Sequence, residues 1–226
     1  MHDRTERPLL LGHRGTRAVR SIPENTLASF DRALADGCDG FEFDVRLTAD
    51  GIAVICHDPQ SGGVEIAQAR VEQLPALPRL EDVFVRYHER AFLDIELKVA
   101  GLAAIVAAMV RKFPPRRGFV VSSFLPEVLE QMHAEDGAIP LGLICETRAE
   151  LARCKELPVQ YVILQGKLAG REVVSMIREA GRKVLVWTVN DAKAMLGFAQ
   201  AGVDGIISDD TNRLVGTLGR FHGLQS

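Results

Sequence analysis

The residues able to do chemistry stand at the ends of apolar runs. Leu9-Leu10-Leu11 leads into Gly12-His13-Arg14-Gly15, and Phe41-Glu42-Phe43-Asp44-Val45 is followed by Val54-Ile55-Cys56-His57-Asp58. A third run, Phe92-Leu93-Asp94-Ile95-Glu96-Leu97-Lys98, adds a further carboxylate and a lysine. Side chains two apart on an extended strand emerge on one face, so Glu42 and Asp44 point the same way. Glu96 holds a comparable place on the next run, with Lys98 on its face. A charge inside a strongly apolar run is costly unless something pairs with it, which disfavours plain solvated charges at a sheet rim. Carboxylates converging at strand ends suit a hard divalent cation bound through oxygen, Mg²⁺ or Ca²⁺. Zinc fits poorly, because the neighbouring ligands would all be oxygens and no cysteine has suitable spacing.

Imidazole as a group titrates near neutrality, so of the two histidines, His13 and His57, one can take a proton while the other gives one. Arg14 and Lys98 are candidate phosphate binders, the first as a fork and the second as a point charge. Lys98 also permits a simple pair with Glu96. Together these parts suit a divalent metal holding a phosphate ester between two proton carriers. Two further positions are less specific. Pro23-Glu24-Asn25-Thr26 reads by itself as a helix start. Trp187, the only tryptophan, fits either core packing or the wall of a substrate pocket. Asn190, just beyond it, can cap the following helix or orient a ligand hydroxyl, and capping is the preferred reading.

The elements that must position these groups alternate along the chain. Strands are expected at 9–12, 40–47, 52–56, 91–97, 118–122, 141–145, 161–164, 183–188 and 205–207. Helices are expected at 25–36, 102–112, 126–135, 148–155, 170–180, 191–201 and 211–218. Val184-Leu185-Val186-Trp187 has no polar alternation, as in a parallel strand covered on both faces. Repeated strand–helix units imply a parallel sheet with right-handed crossovers, and eight of them in about 200–250 residues close into a TIM-type (β/α)8 barrel. An open doubly wound sheet is disfavoured, since no GxGxxG follows the first strand. Residues 59–88 break the rhythm and read as a loop and a short helix, a small insertion after the second barrel strand. No linker separates two domains. The expectation is one barrel domain over residues 1–226, with 59–88 as a short covering segment.

Composition narrows the partners. A hydrophobic share of 47%, a charged share of 25% and a net charge of −3 are ordinary for a soluble protein and do not suggest nucleic acid or an anionic membrane. The longest apolar stretch, Ala100 to Val110, is too short to span a bilayer, so no stable membrane association is expected. The start is polar and mixed in charge without a leader pattern, which makes the cytoplasm the expected location. The four cysteines lack paired spacing and read as reduced thiols, Cys56 as a small core residue. The oligomeric state is left open.

Taken in order, these phrases resemble the glycerophosphodiester phosphodiesterase family over nearly the whole chain. The motifs are His13-Arg14-Gly15, Pro23-Glu24-Asn25-Thr26, Phe41-Glu42-Phe43-Asp44-Val45, Thr48-Ala49-Asp50-Gly51, His57-Asp58, Asp94-Ile95-Glu96-Leu97-Lys98, Ser122-Ser123-Phe124, Val186-Trp187-Thr188-Val189-Asn190 and Gly202-Val203-Asp204-Gly205-Ile206-Ile207. The resemblance implies a TIM-type barrel that hydrolyses small-molecule glycerophosphodiesters to glycerol 3-phosphate and an alcohol. It implies His13 and His57 as general acid and base and Glu42, Asp44 and Glu96 as ligands of Mg²⁺ or Ca²⁺. Arg14 and Lys98 would hold the phosphate, with Glu24 near the site and Trp187 in the substrate pocket. The attacking group is either the substrate's own glycerol 2-hydroxyl, through a cyclic phosphate, or water.

The chain departs from the family pattern after His57-Asp58, where a longer insertion normally covers the pocket. The shorter segment here implies a more open pocket. Ile207-Ser208-Asp209-Asp210-Thr211 also lacks a proline often found in the family. Three other readings compete. A lysophospholipase D-type enzyme on lipid substrates would want an apolar or basic rim, which residues 59–88 do not show. A non-catalytic glycerophosphodiester-binding barrel should have lost a histidine or a metal carboxylate, and none is missing. A carbohydrate-cleaving barrel with two carboxylates leaves the histidines and Arg14 unexplained.

Overall fold

Eight parallel strands close on themselves. The computed structural model describes residues 7–220; the polar start at residues 1–6, on which the cytoplasmic expectation rests, lies outside the described residues, as do residues 221–226. In chain order the elements are β1 (Leu9–Gly12), α1 (Leu27–Asp36), β2 (Gly40–Leu47), β3 (Ala53–Ile55), β4 (Gln60–Ser61), β5 (Val64–Glu65), α2 (Leu80–Tyr87), β6 (Phe92–Leu97), α3 (Ala103–Lys112) and β7 (Phe119–Ser123). They continue with α4 (Pro126–Glu135), β8 (Leu141–Cys145), α5 (Arg148–Arg153), β9 (Tyr161–Gln165), α6 (Arg171–Glu179), β10 (Lys183–Trp187), α7 (Ala192–Ala201), β11 (Gly205–Ser208) and α8 (Thr211–Leu218). The circuit runs β1-β11-β10-β9-β8-β7-β6-β2, and β1 pairs with β2 to complete it. β3 is the one antiparallel strand of this sheet, folded back on β2 with Val45 opposite Ile55.

The two-residue period of each strand sorts its side chains. On β2, Phe41, Phe43 and Val45 face the helices, and on β6 Leu93, Ile95 and Leu97 do so. The intervening Glu42, Asp44, Asp94 and Glu96 therefore face the barrel axis. The register sets Glu42 beside Asp94 and Asp44 beside Glu96. Phe30 of α1 stacks on Phe41 at 4.2 Å, and the Tyr87 ring of α2 meets both edge-on. Each fully buried ring contributes roughly 1.5–3 kcal/mol, so this cluster helps offset the cost of two carboxylates on the opposite face of the same strand. Inside the barrel, Leu11, Phe92, Val120, Ile144, Tyr161, Ile163, Leu185 and Ile207 form a separate apolar plug. It fills the lower barrel and leaves the strand ends as the place for chemistry.

Two boundaries differ from expectation for physical reasons. α1 begins at Leu27 because Asn25 has a left-handed φ of +56° and Thr26 caps the helix, its hydroxyl accepting from Ser29 N. The insertion is more structured than a loop. β4 and β5 form a small hairpin, two 3₁₀ turns follow, and Ile66, Ala69 and Leu74 bury against Val54 as a minor core that Cys56 joins at its edge. Cys38, Cys145 and Cys154 are buried, Cys56 is half-buried, and all four are free thiols. Among the described residues no helix is long and apolar enough to cross a membrane.

Candidate active site

The turn after β1 is shaped by close packing. A Cβ on Gly12 would lie 1.8 Å from the Gly15 carbonyl oxygen, and one on Gly15, at φ +84°, would lie 2.4 Å from Ser29 Oγ. Between them Arg14 takes a left-handed φ of +51°, a conformation a branched or long side chain adopts only when its surroundings impose it. The result aims the Arg14 N–H inward, where it donates to Glu42 Oε2 at 2.9 Å. The Arg14 carbonyl in turn accepts from Asn25 N and Ser29 Oγ, both at 3.0 Å.

Glu42, Asp44 and Glu96 converge. All three are buried, and one oxygen of each lies within 4.8 Å of the others. Asp44 is surrounded by two cations and a neutral donor: Lys98 Nζ at 3.3 Å, Arg14 Nε at 3.2 Å and the Asn25 amide at 2.8 Å. Burial pushes its acidity down in strength, yet Lys98, Arg14 and Asn25 outweigh that and hold its pKa below the usual carboxylate range. Glu42 goes the other way. Burial, then repulsion from Asp44, Glu96 and Asp94, raises it well above normal. Glu96 rises to about 7 from burial and from Asp44, despite Lys98 Nζ at 2.5 Å. Buried Glu42 Oε1 and Asp44 Oδ1 accept no hydrogen bond, an unusual state for buried oxygens that a cation among them would relieve. An all-oxygen donor set of this kind fits Mg²⁺ or Ca²⁺.

The histidines flank this cluster. His13 Nε2 stands 3.9 Å from Glu42 Oε2, and its Nδ1 lies 2.8 Å from Asp209 Oδ1. An ionised carboxylate only accepts, so Nδ1 carries the proton and Nε2 is the ring nitrogen left for the cavity. His57 follows β3 and is brought over β2 because Cys56 N donates to the Asp44 carbonyl at 3.0 Å. Arg46, two residues past Asp44 on β2, grips the His57 carbonyl with Nε and Nη2 at 2.8 and 2.7 Å. The His57 ring is 37% exposed and contacts Asp58 Oδ1 at 2.8 Å.

His13, Arg14, Glu42, His57, Glu96 and Lys98 all line one cavity of about 380 Å³ at the strand ends, and Trp187 closes its far side. Trp187 lies 6.5 Å from the His13 ring and meets Phe124 edge-on at 5.6 Å, so it is a pocket wall more than a core residue. Glu24 lies beside the cavity, in a neighbouring groove. There it binds Arg14 Nη1 at 2.6 Å and also pairs with Arg17. Its contribution is to hold Arg14.

The family's sequence model, that of the glycerophosphoryl diester phosphodiesterase family, matches residues 13–75 and 62–213, which takes in every residue of this constellation. The chain belongs to that family. A Bacillus subtilis relative is 28% identical over 88% of this chain and 93% of its own length. The glycerophosphodiester phosphodiesterase of Caldanaerobacter subterraneus subsp. tengcongensis is 27% identical over 92% of this chain and 96% of its own. Among solved structures, an Oleispira antarctica phosphodiesterase in complex with the product sn-glycerol 3-phosphate superposes with a TM-score of 0.81 at 27% identity, covering 93% of this chain and 96% of that one.

Sequence reasoning missed several members of the site in this family barrel. Asp209, noted only for a missing proline nearby, is the partner of His13. Its signal was a carboxylate one step beyond an apolar strand. Asn190 does not cap α7; Asp191 does, accepting from Ala194 N at 2.8 Å. Asn190 instead donates to Asp209 Oδ2 at 2.7 Å, while its own Oδ1 accepts from Ser208 Oγ and Asp209 N at 2.9 Å. Asn25 clamps Asp44 from both sides, its Oδ1 accepting from Asp44 N at 3.3 Å. Asp94 accepts from Ser122 Oγ at 2.6 Å, and burial lifts its pKa to about 7. A local signal can mark such a residue but not its partner, since these pairings span up to 196 residues.

Proposed function

We propose that the protein hydrolyses glycerophosphodiesters to sn-glycerol 3-phosphate and an alcohol, with a divalent cation held by Glu42, Asp44 and Glu96 and with His13 and His57 moving the protons. The observation that carries this reading is the pair of orphaned buried carboxylate oxygens, set between two imidazoles and two cations in a chain of this family. When bound, Mg²⁺ or Ca²⁺ would supply a Lewis acid that screens charge on the phosphate. Arg14 and Lys98 bind non-bridging oxygens; Glu24 takes one of the five guanidinium donors and Glu96 one of the three ammonium donors, while Asp44 stands in ionic contact with both cations. One histidine removes a proton from the attacker as its oxygen bonds to phosphorus; where the attacker is water this gives glycerol 3-phosphate directly, and where it is the glycerol 2-hydroxyl a water then opens the cyclic phosphate. The other protonates the alkoxide as the bond from phosphorus to the alcohol breaks. Asp209 keeps the His13 Nε2 free for this work and steadies the ring when it is charged. The covering segment carries two exposed large apolar residues, Val64 and Val85, too few for docking on a lipid surface, which favours small soluble diesters.

The test is release of glycerol 3-phosphate from glycerophosphocholine and glycerophosphoethanolamine with Mg²⁺, with Ca²⁺ and with EDTA, beside His13→Ala and His57→Ala. The expected result is cation-dependent release that falls by about 10²–10⁴-fold in each variant. Release unaffected by EDTA, or retained in both variants, would overturn it.

A further inference from the structure

The cavity is divided by chemistry across the barrel mouth. His13, Arg14, Glu42, Glu96 and Lys98 come from β1, β2 and β6 or the turns that follow them, three strands adjacent in the circuit. The opposite arc, β8 to β11, contributes Ile144, Ile163, Ile207 and Trp187, with Phe124 at its border after β7. One charged residue stands in this apolar arc. Glu146 follows directly after β8, a strand four steps from β1 in either direction around the circuit, and lines the cavity. It is half-buried, and among the described residues its carboxylate has no recorded hydrogen bond or ion pair. Only its backbone is engaged, the N–H donating to Glu150 Oε2 at 2.7 Å.

We propose that Glu146, with Trp187, selects diesters whose alcohol carries a fixed or protonated ammonium group, the choline or ethanolamine type of head. This rests on the phosphodiesterase reading above. A diester has two arms, and the two arcs offer them different surroundings. The charged arc is hydrogen-bonding throughout and suits the hydroxyls of glycerol. Isoleucine side chains cannot satisfy hydroxyls, and burying them unpaired is costly. A methylated or primary ammonium on a short carbon stem instead matches apolar walls, an aromatic face and one carboxylate. The Phe124 ring already has Lys98 Nζ 5.6 Å from its centroid, so that face belongs to the charged arc. Trp187 and Glu146 are the groups left to receive the second cation. The cavity, about 380 Å³, is at the small end of ligand pockets, so a short head would reach from the phosphate to the far wall.

The experiment measures kcat/KM for glycerophosphocholine, glycerophosphoethanolamine and the neutral diester glycerophosphoglycerol, in the wild type, Glu146→Gln and Glu146→Lys, with melting temperatures to confirm folding. The wild type is expected to favour the two ammonium substrates over the neutral one by about tenfold. Glu146→Gln should lower that ratio about five- to tenfold, chiefly through KM, and Glu146→Lys should invert it. A ratio that moves less than twofold in both folded variants overturns the inference and leaves the activity standing. No turnover of any of the three diesters by the wild type overturns the activity and the inference with it.

Discussion

Replacing Asp209 by Asn removes one charge and changes one atom, yet the geometry predicts a large effect. Burial would raise the pKa of Asp209, but hydrogen bonds from His13 and Asn190 and the charges of His13 and Arg17 bring it down to about 2. Relative to an ordinary aspartate the depression is worth at most ~2.5 kcal/mol, and partial exposure screens it to about 1–2 kcal/mol. That stability is present above pH ~4 and is lost as the pH falls through about 2. Asn cannot reproduce the contacts. One carboxylate oxygen receives His13 Nδ1 and Arg17 Nη1, and the other receives Asn190 Nδ2. An amide NH₂ therefore meets another donor in either orientation, and Asn190 cannot flip to relieve it because its Oδ1 already accepts two hydrogen bonds. The lost charge partner and the donor conflict together predict a fall in kcat/KM of about 30–300-fold, from ~2–3.5 kcal/mol. They also predict a melting temperature lower by about 2–8 °C. The assay is the pH profile of kcat/KM against glycerophosphocholine, in which the limb reporting this histidine should move to lower pH. Asp209→Ala, which removes the charge without the donor conflict, should lose less than Asp209→Asn. A variant within threefold of wild type with an unmoved profile would refute the reasoning.

Two further expectations follow from the carboxylate cluster. Glu42 is held well above its normal pKa, and Asp94 and Glu96 lie near 7. Groups raised in this way contribute stability that is complete below the unfolded value of about 4 and disappears as the pH rises through about 7. In EDTA the protein should therefore melt at a higher temperature at pH 6 than at pH 8, and Mg²⁺ or Ca²⁺ should restore stability most at pH 8. Melts in EDTA that rise from pH 6 to pH 8 would count against a repulsive cluster. Asn25→Ala removes both hydrogen bonds to Asp44 and leaves alanine at φ +56°. It should cost ~2–4 kcal/mol and weaken cation binding, read by denaturant midpoint and cation titration. An unchanged midpoint would mean that the clamp does not hold Asp44.

The parts legible in the sequence were those governed by short-range rules. The alternation Phe41-Glu42-Phe43-Asp44-Val45 decides which way each side chain points as soon as the segment is extended, because the period of a strand is two. The barrel itself follows from repeated strand–helix units, and the structure moves most element ends by only one or two residues. Nine of the residues singled out, from His13 to Trp187, lie in or beside one cavity because barrel strands deliver their ends to a common face. What the sequence could not determine were contacts between residues far apart in the chain. The pairing of His13 with Asp209 depends on β11 closing against β1, with Gly12 beside Ser208. The raised pKa values of Glu42 and Glu96 depend on the β2–β6 register and on burial, neither of which composition records. Asn25 reads as part of a helix start until its φ turns the side chain onto Asp44. Side-chain direction is a local property of the backbone, and so the sequence determined which groups would face the site. Charge state, tautomer and the identity of each partner are set by closure and desolvation, and only the tertiary structure decided them.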